Sequence, residues 1–494
     1  MKTLGWITLL ACAWGTSSWA QKTEPPEGNF FNVRTFGALG DGTTLDTAAI
    51  EQAITAANAA GGGTVIFPPG TYLSGTLELL SNVTLDLQPG AVLQGSPSVM
   101  DYGSIADYGF GRKYGIDSSG EGFRVGLIVA RKANNVAIVG HGTIDGNGDS
   151  FFDLKSVHNG ADFDGHYTRQ GPDYDSPKYG LEFGPVEVGP NGRPGTMIIF
   201  SDCRNILVRD VTLSNSPNWT MHLQGSQNAA ISGIHIVNDV LIPNSDGIDC
   251  MRSKRVQISD CDIRAGDDDF AIVSSDDVHV NNCSLTSLSA AVRLEDSRYA
   301  TFSNLSIHAN RGLGVFSVGE EHTAHVLFSN ITMETNLITG HWWGKAEPIY
   351  IAAQQGHGKA EIRDIHFTNI TIEAEGGMVI FGTDDATVRD IYLEQIRMHV
   401  RAPLPRIALS VGGNFDLRTT PLGLSKAIFK HDIPALYLRN VDGLRIRDFD
   451  LRWGDNLPAY FSTAVQAEDS KNLDFGDLKL ASRPGAAAKP VAVH

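Results

Sequence analysis

Asn205-Ile-Leu-Val-Arg-Asp-Val-Thr-Leu213 sets the pattern of this chain: a polar residue, two alternating apolar positions, a second polar residue, and two more apolar positions. It returns as Arg255-Val-Gln-Ile-Ser-Asp-Cys-Asp-Ile263 and Asp277-Val-His-Val-Asn-Asn-Cys-Ser-Leu285. With drift at the polar positions it recurs at 299–307, 325–333, 364–372, 390–398, 443–451 and 472–480. The first apolar residues are Ile206, Ala229, Val256, Val278, Ala300, Val326, Ile365, Ile391, Leu444 and Leu473, spaced by 23, 27, 22, 22, 26, 39, 26, 53 and 29. A base step of 22 with tolerated insertions predicts an all-β solenoid of stacked strands. Residues one step apart then become neighbours about 4.8 Å apart across a parallel ladder.

A solenoid lets all 494 residues share one core, because each coil buries its face on the next. The first 20 residues read as a secretory signal: Lys2, a short apolar stretch from Leu4 to Trp14, and Ser18-Trp19-Ala20 as the cleavage site. Cys12 permits the lesser alternative of a lipoprotein anchor. The expected organisation is a signal over 1–20 and a single solenoid domain over 21–494, secreted or periplasmic, with no membrane span. The net charge of −17, or −18 once Lys2 is removed, argues against nucleic acid and anionic membranes as partners. It would also repel a polyanion unless basic residues gather locally. Cys203, Cys250, Cys261 and Cys283 remain after cleavage. Cys261 and Cys283 fall at an inward repeat position and read as core fillers; a bridge between coils is possible but not required.

Asp46-Thr47 reads as an N-cap, and Ile50, Ala53, Ile54 and Ala57 form one apolar stripe, so a helix over 48–60 should cover the open end of the solenoid. Gly61-Gly-Gly63 ends it before a strand at Thr64–Phe67. Two excursions break the rhythm, near 145–197 and 402–435. The first is rich in rings (Phe151, Phe152, Tyr167, Tyr174, Tyr179), which suit either sugar stacking or packing of the loop onto the solenoid.

The chemically loaded segments are Asn244-Ser-Asp-Gly-Ile-Asp249 and Gly266-Asp-Asp-Asp-Phe-Ala-Ile-Val273. Asp246 plus 22 is Asp268. Ile248 and Cys250 should stack inward on Phe270 and Ile272, leaving Asp246 and Asp268 outward in a groove with Asp267 beside them. Crowded carboxylates raise one another's pKa, so one can stay protonated as an acid while others serve as bases. A calcium site or solvated turn acids are the competing readings.

These segments, together with Phe36-Gly-Ala-Leu-Gly-Asp-Gly42, Gly61–Gly70, Gly142-Thr-Ile-Asp-Gly146, Gly192-Arg-Pro194 and Asn215-Ser-Pro-Asn-Trp219, resemble family 28 of the glycoside hydrolases, the polygalacturonase family. The resemblance spans nearly all the mature chain and implies a single-stranded right-handed parallel β-helix of the pectin-lyase-like kind. It implies an inverting hydrolase without cofactor or metal, acting on a polysaccharide or oligosaccharide. In it Asp267 is the general acid, and Asp246 with Asp268 the base, with Asn244 beside them.

The chain departs from the family where cations hold the galacturonate carboxylate. Ala290 stands at the expected histidine, and Gly314-Val-Phe316 replaces the Arg-Ile-Lys motif. Arg293 and Arg311 are candidate replacements; as plain surface salt bridges, Arg293 would pair with a residue such as Asp249. His341-Trp-Trp-Gly-Lys-Ala-Glu-Pro-Ile349 looks like a segment of the family's bacterial branch. Trp342 and Trp343 suit a pyranose face, with one of the two expected in the core, and Lys345 suits an acidic sugar. His222 is a further candidate for the cleft. A lyase on the same fold, or a non-catalytic sugar-binding β-helix, are the alternatives.

Overall fold

The structure is a computed structural model that describes residues 29–105, 108, 124–155, 167–174, 186–189, 191–319, 321–340, 342–354, 359–417, 428–481 and 491–493. The secretory signal, Cys12, Tyr179 and His341 lie outside the described residues.

The repeat's two polar positions explain the coil. In all nine repeats both of them have positive φ: Asn205 and Asp210, Arg255 and Asp260, Asp277 and Asn282, through to Asn472 and Asp477. Asn and Asp tolerate the left-handed region better than other L-residues, so they mark the corners. Their side chains also form ladders between coils. Asn135 Nδ2 donates to Asn82 Oδ1 at 2.8 Å, Asn205 to Asn135 at 2.8 Å, and Asn228 to Asn205 at 3.2 Å. Where the repeat drifts to Arg255, Tyr299, His325 or Gln395, the backbone keeps the same corner, because the paired strands on either side impose it.

Between the corners the apolar residues stack in register. Ile206 pairs with Ala229, Ala229 with Val256, Val326 with Ile365, Ile365 with Ile391, and Ile391 with Leu444. Long strands make a 22-stranded sheet and a facing 13-stranded sheet, each strand pairing parallel with those one coil away. The fold is a right-handed parallel β-helix. Its core is a continuous apolar column; Phe302, Phe328 and Phe367 stack at 5.0 and 4.9 Å. Ser226, Ser253, Ser275 and Ser297, all buried, form a second ladder: the backbone N–H of each of the first three donates to the next hydroxyl at 2.9–3.1 Å. Cys203, Cys250, Cys261 and Cys283 are buried free thiols, and Cys283 pairs in register with Leu305.

Helix α1 (Thr47–Ala59) caps the first coil and buries Ile50, Ala53, Ile54 and Ala57. Asp46 does not cap it with its side chain. That carboxylate instead accepts from the N–H groups of Leu39 and Gly40 at 2.8 and 3.0 Å, tying the preceding loop down. The ring-rich excursion packs onto the solenoid: Phe151, Phe152 and Tyr174 are buried, whereas Tyr167 is exposed. The second excursion contains helix α2 (Pro405–Val411) and an antiparallel pair, Asn414–Asp416 with Ile428–Lys430. Among the described residues no helix is long and apolar enough to cross a membrane.

Candidate active site

The site forms where two successive coils turn into the 13-stranded sheet. Ile248–Met251 pairs with Phe270–Val273 at an offset of 22, and the N–H of Gly247 donates to Asp268 O at 2.9 Å. That register stacks the Asp246 turn on the Asp268 turn. Ser245 sews the two together: its hydroxyl donates to Ile242 O and accepts from the N–H of Gly266. Gly266 has to be glycine, since a Cβ there would meet Val240 O at 2.5 Å and Ser245 Oγ at 2.7 Å. One carboxylate oxygen from each of Asp246, Asp267 and Asp268 lies within 4.8 Å of the others.

These acids do not stand in an open groove, as the alternation had led us to expect. Asp246, Asp267 and Asp268 are only 5, 9 and 4% exposed. Burial is the larger cause of the raised pKa values of Asp246 and Asp268, and like charge is the second. Asp246 is raised well above the usual carboxylate range by burial, then by Asp267, Asp249 and Asp268. Asp268 is pushed up to about 7 by burial and Asp267, with Arg293 and Arg311 pulling the other way. Asp249 is raised by burial, Asp268 and Asp267. The cluster therefore retains protons near neutrality.

Asp267 sits beside a short relay. Arg193 donates to Pro217 O, Pro243 O and Asn244 Oδ1 at 3.0, 2.6 and 3.0 Å, and Asn244 Nδ2 lies 3.5 Å from Asp267 Oδ2. Ser287 donates to Asp267 O at 2.5 Å. His222 pairs with Asp249 in the sheet, lies edge-on to Trp219 at 5.3 Å, and is fully buried. Among the described residues neither ring nitrogen has a hydrogen-bond partner within normal geometry, and burial, opposed in part by Gln224, pushes its pKa down to about 4, so it is a neutral imidazole.

Arg293 stands one coil beyond Ala271, next to the acids, but it does not pair with Asp249. Its Nη2 binds Glu295 Oε2 at 2.6 Å, because two residues along a strand bring side chains to the same face. Arg311 is not a surface residue. It is buried, with its guanidinium 3.8 Å from the Tyr350 ring centroid, 3.4 Å from Glu347 Oε2, and donating to Asp416 O at 3.2 Å. Burial alone would lower its pKa; Glu347, Tyr350 and Asp416 more than offset that. Trp342 is buried and Trp343 half-buried; the N–H of Trp343 donates to Ser289 Oγ, beside Ala290. Lys345 is buried with its Nζ 5.5 Å from the Tyr174 ring centroid. Sequence reasoning missed Arg193, Glu295, Glu347 and Asp416 as members of this neighbourhood. Of these, Arg193 and Glu347 lay inside motifs already singled out.

The model for the family described as Glycosyl hydrolases family 28 matches residues 189–381, the segment that carries every acid of the cluster. Over that segment the chain is similar to the polygalacturonases of that family. A model described as Rhamnogalacturonase A/epimerase, pectate lyase-like, matches residues 30–138. A probable polygalacturonase of Vitis vinifera is 32% identical over 246 residues, covering 48% of this chain and 43% of the relative. An exo-poly-alpha-D-galacturonosidase of Dickeya chrysanthemi is 27% identical over 252 residues, covering 48% and 40%. The chain thus spans about two fifths of the length of these relatives. The family 28 exopolygalacturonase of Yersinia enterocolitica superposes with a TM-score of 0.64 over 90% of this chain and 78% of its own, at 19% identity, a likeness of fold.

Proposed function

We propose that this protein is an exported glycoside hydrolase that cleaves glycosidic bonds in a pectin-like acidic polysaccharide with inversion at the anomeric carbon. One observation carries the reading: three carboxyl groups from two stacked coils share one buried patch, in which Asp246 and Asp268 have their pKa values pushed upward. Such a patch can hold an acid and a base at once near neutral pH. Asp267 gives its proton to the leaving glycosidic oxygen. Asp268 and Asp246 hold a water, and whichever of them is ionised takes its proton as the water oxygen bonds to the anomeric carbon. Export rests on Lys2, the apolar stretch after it and Ser18-Trp-Ala20.

Inverting glycosidases generally separate acid and base by about 6.5–9.5 Å, and retaining ones by about 5–5.5 Å. Here 4.8 Å bounds single oxygens rather than carboxyl groups, so the reading of inversion rests on the family motif. The anomer released tests that reading. The cations near the acids are already engaged, Arg293 with Glu295 and Arg311 with Glu347 and Asp416. A mixed or branched pectin fits that balance better than plain polygalacturonate.

A second reading, β-elimination assisted by a calcium ion on the same three acids, draws on the same convergence of oxygens. The test is to treat defined pectin and rhamnogalacturonan oligosaccharides with the purified protein and weigh the products. Fragments that have together gained one water support hydrolysis. Unsaturated fragments that absorb in the ultraviolet and vanish with chelator support elimination and overturn the proposal, as does a folded protein that cleaves none of the set.

A further inference from the structure

The sheet face that carries the acids continues up the solenoid to a separate cavity. Ala271 pairs with Arg293, Arg293 with Gly314, Gly314 with Tyr350, Tyr350 with Val379, and Val379 with Tyr437. Five ladder spacings of about 4.8 Å put Tyr437 some 24 Å along the axis from the acids. There Tyr437, Phe429, His431, Arg439, Glu468 and Asp384 line a cavity of about 440 Å³. That is large enough for a mono- or disaccharide and within the range of small-molecule sites.

The lining has two parts. Phe429, His431 and Tyr437 belong to one aromatic cluster, built around Phe415 at 5.9, 4.2 and 4.9 Å between centroids. Beside it stand polar groups held in position. Glu468 accepts from the Tyr437 hydroxyl at 2.9 Å and from Gln466 Nε2 at 2.8 Å, which fixes its carboxylate while leaving lone pairs for further donors. Arg439, one coil below Glu468 in the same row, reaches Asp384 only at 3.9 Å. Rings that stack on C–H faces, acids that accept from hydroxyls and one guanidinium that donates are the groups that bind a pyranose. Two carboxylates against one guanidinium leave the cavity no net attraction for an anionic sugar.

We propose that this cavity is a second saccharide site, taking a neutral pyranose unit and anchoring a substrate chain five coils away from the cleavage point. The proposal rests on the reading of the protein as a polysaccharide hydrolase. It also gives the second excursion a role, since the hairpin that supplies Phe429 and His431 also supplies Asp416 to Arg311 beside the acids.

Saturation-transfer NMR with L-rhamnose, D-galactose and D-galacturonate as probes, on the full protein, tests it. Phe429→Ala removes a ring, and Glu468→Gln keeps shape while removing an acceptor charge; melting curves confirm that each variant folds. We expect a neutral-sugar signal in the parent, reduced at least tenfold in both folded variants. We also expect both variants to lose turnover on long branched chains several-fold while keeping it on the shortest cleavable oligosaccharide. If the neutral-sugar signal is absent, unchanged in both variants, or replaced by one for galacturonate alone, the proposal is overturned. Failure of hydrolysis with binding intact and sensitive to both variants would refute the proposed function and leave the saccharide site standing.

Discussion

Asp268→Asn should make the protein more stable and inactive, and the stability gain should grow with pH. In the folded protein the Asp268 carboxyl titrates at about 7, against an ordinary value of 3.8. The folded state therefore binds this proton more tightly than the unfolded chain does. Its contribution to stability is full below about pH 4 and is lost as pH rises through 7. Three units at roughly 1.36 kcal/mol each give about 4 kcal/mol as the ceiling of the loss. Asp268 is buried, so solvent screening removes little of it. Asp246 and Asp249 share the same crowding and will take up part of any relief, which lowers the expected gain to about 2–4 kcal/mol at pH 7.5. Asparagine cannot ionise, so it lacks the slope. Denaturant unfolding of both proteins between pH 4 and 8 should show curves that meet near pH 4 and separate above it. Parallel curves, or a variant less stable at pH 8, would refute the electrostatic account of the cluster.

Asp267→Asn should cut turnover by about 10²–10⁴-fold, the usual worth of a general acid, in a folded protein at least as stable as the parent; wild-type turnover in the folded variant would remove Asp267 from that role. Arg311→Ala leaves Glu347 and Asp416 buried without their cation, and should cost about 3–5 kcal/mol in denaturant unfolding; a variant as stable as the parent would show the ion pair to be dispensable. Plain polygalacturonate should be a poorer substrate than a branched or mixed oligosaccharide, and Arg293→Ala should lower kcat/KM on acidic chains by about tenfold, in keeping with a charge-assisted contact. Efficient turnover of the plain polymer, indifferent to Arg293, would contradict the reading of Ala290 and Gly314–Phe316 as lost cation sites.

The coil was legible because its corners demand a backbone conformation that few side chains tolerate. Asn205 and Asp210 announce that demand, and their recurrence gives the step. The stacking of Asp246 on Asp268 followed from adding 22. The depth of the acids did not follow, because alternation assigns a side chain to a face and says nothing of what covers that face. Phe152 meets Arg193 and Tyr174 meets Lys345, and both rings come from the ring-rich excursion, where no repeat constrains position. Arg311 illustrates the same limit. Its partner Asp416 is 105 residues away in a hairpin outside the periodic pattern, so spacing could not pair them. Glu295 was within reach: it is two residues after Arg293 on one strand, and an acid at that distance shares the face.

The central claim is that the buried acids direct water onto a glycosidic carbon with inversion. The most direct measurement is proton NMR of the first minutes of hydrolysis of an α-linked pectin oligosaccharide, with Asp267→Asn as the control. The account predicts that the new reducing end appears first as the β anomer and only later mutarotates, with no signal in the variant. An α anomer appearing first, or an unsaturated uronate in its place, would contradict it.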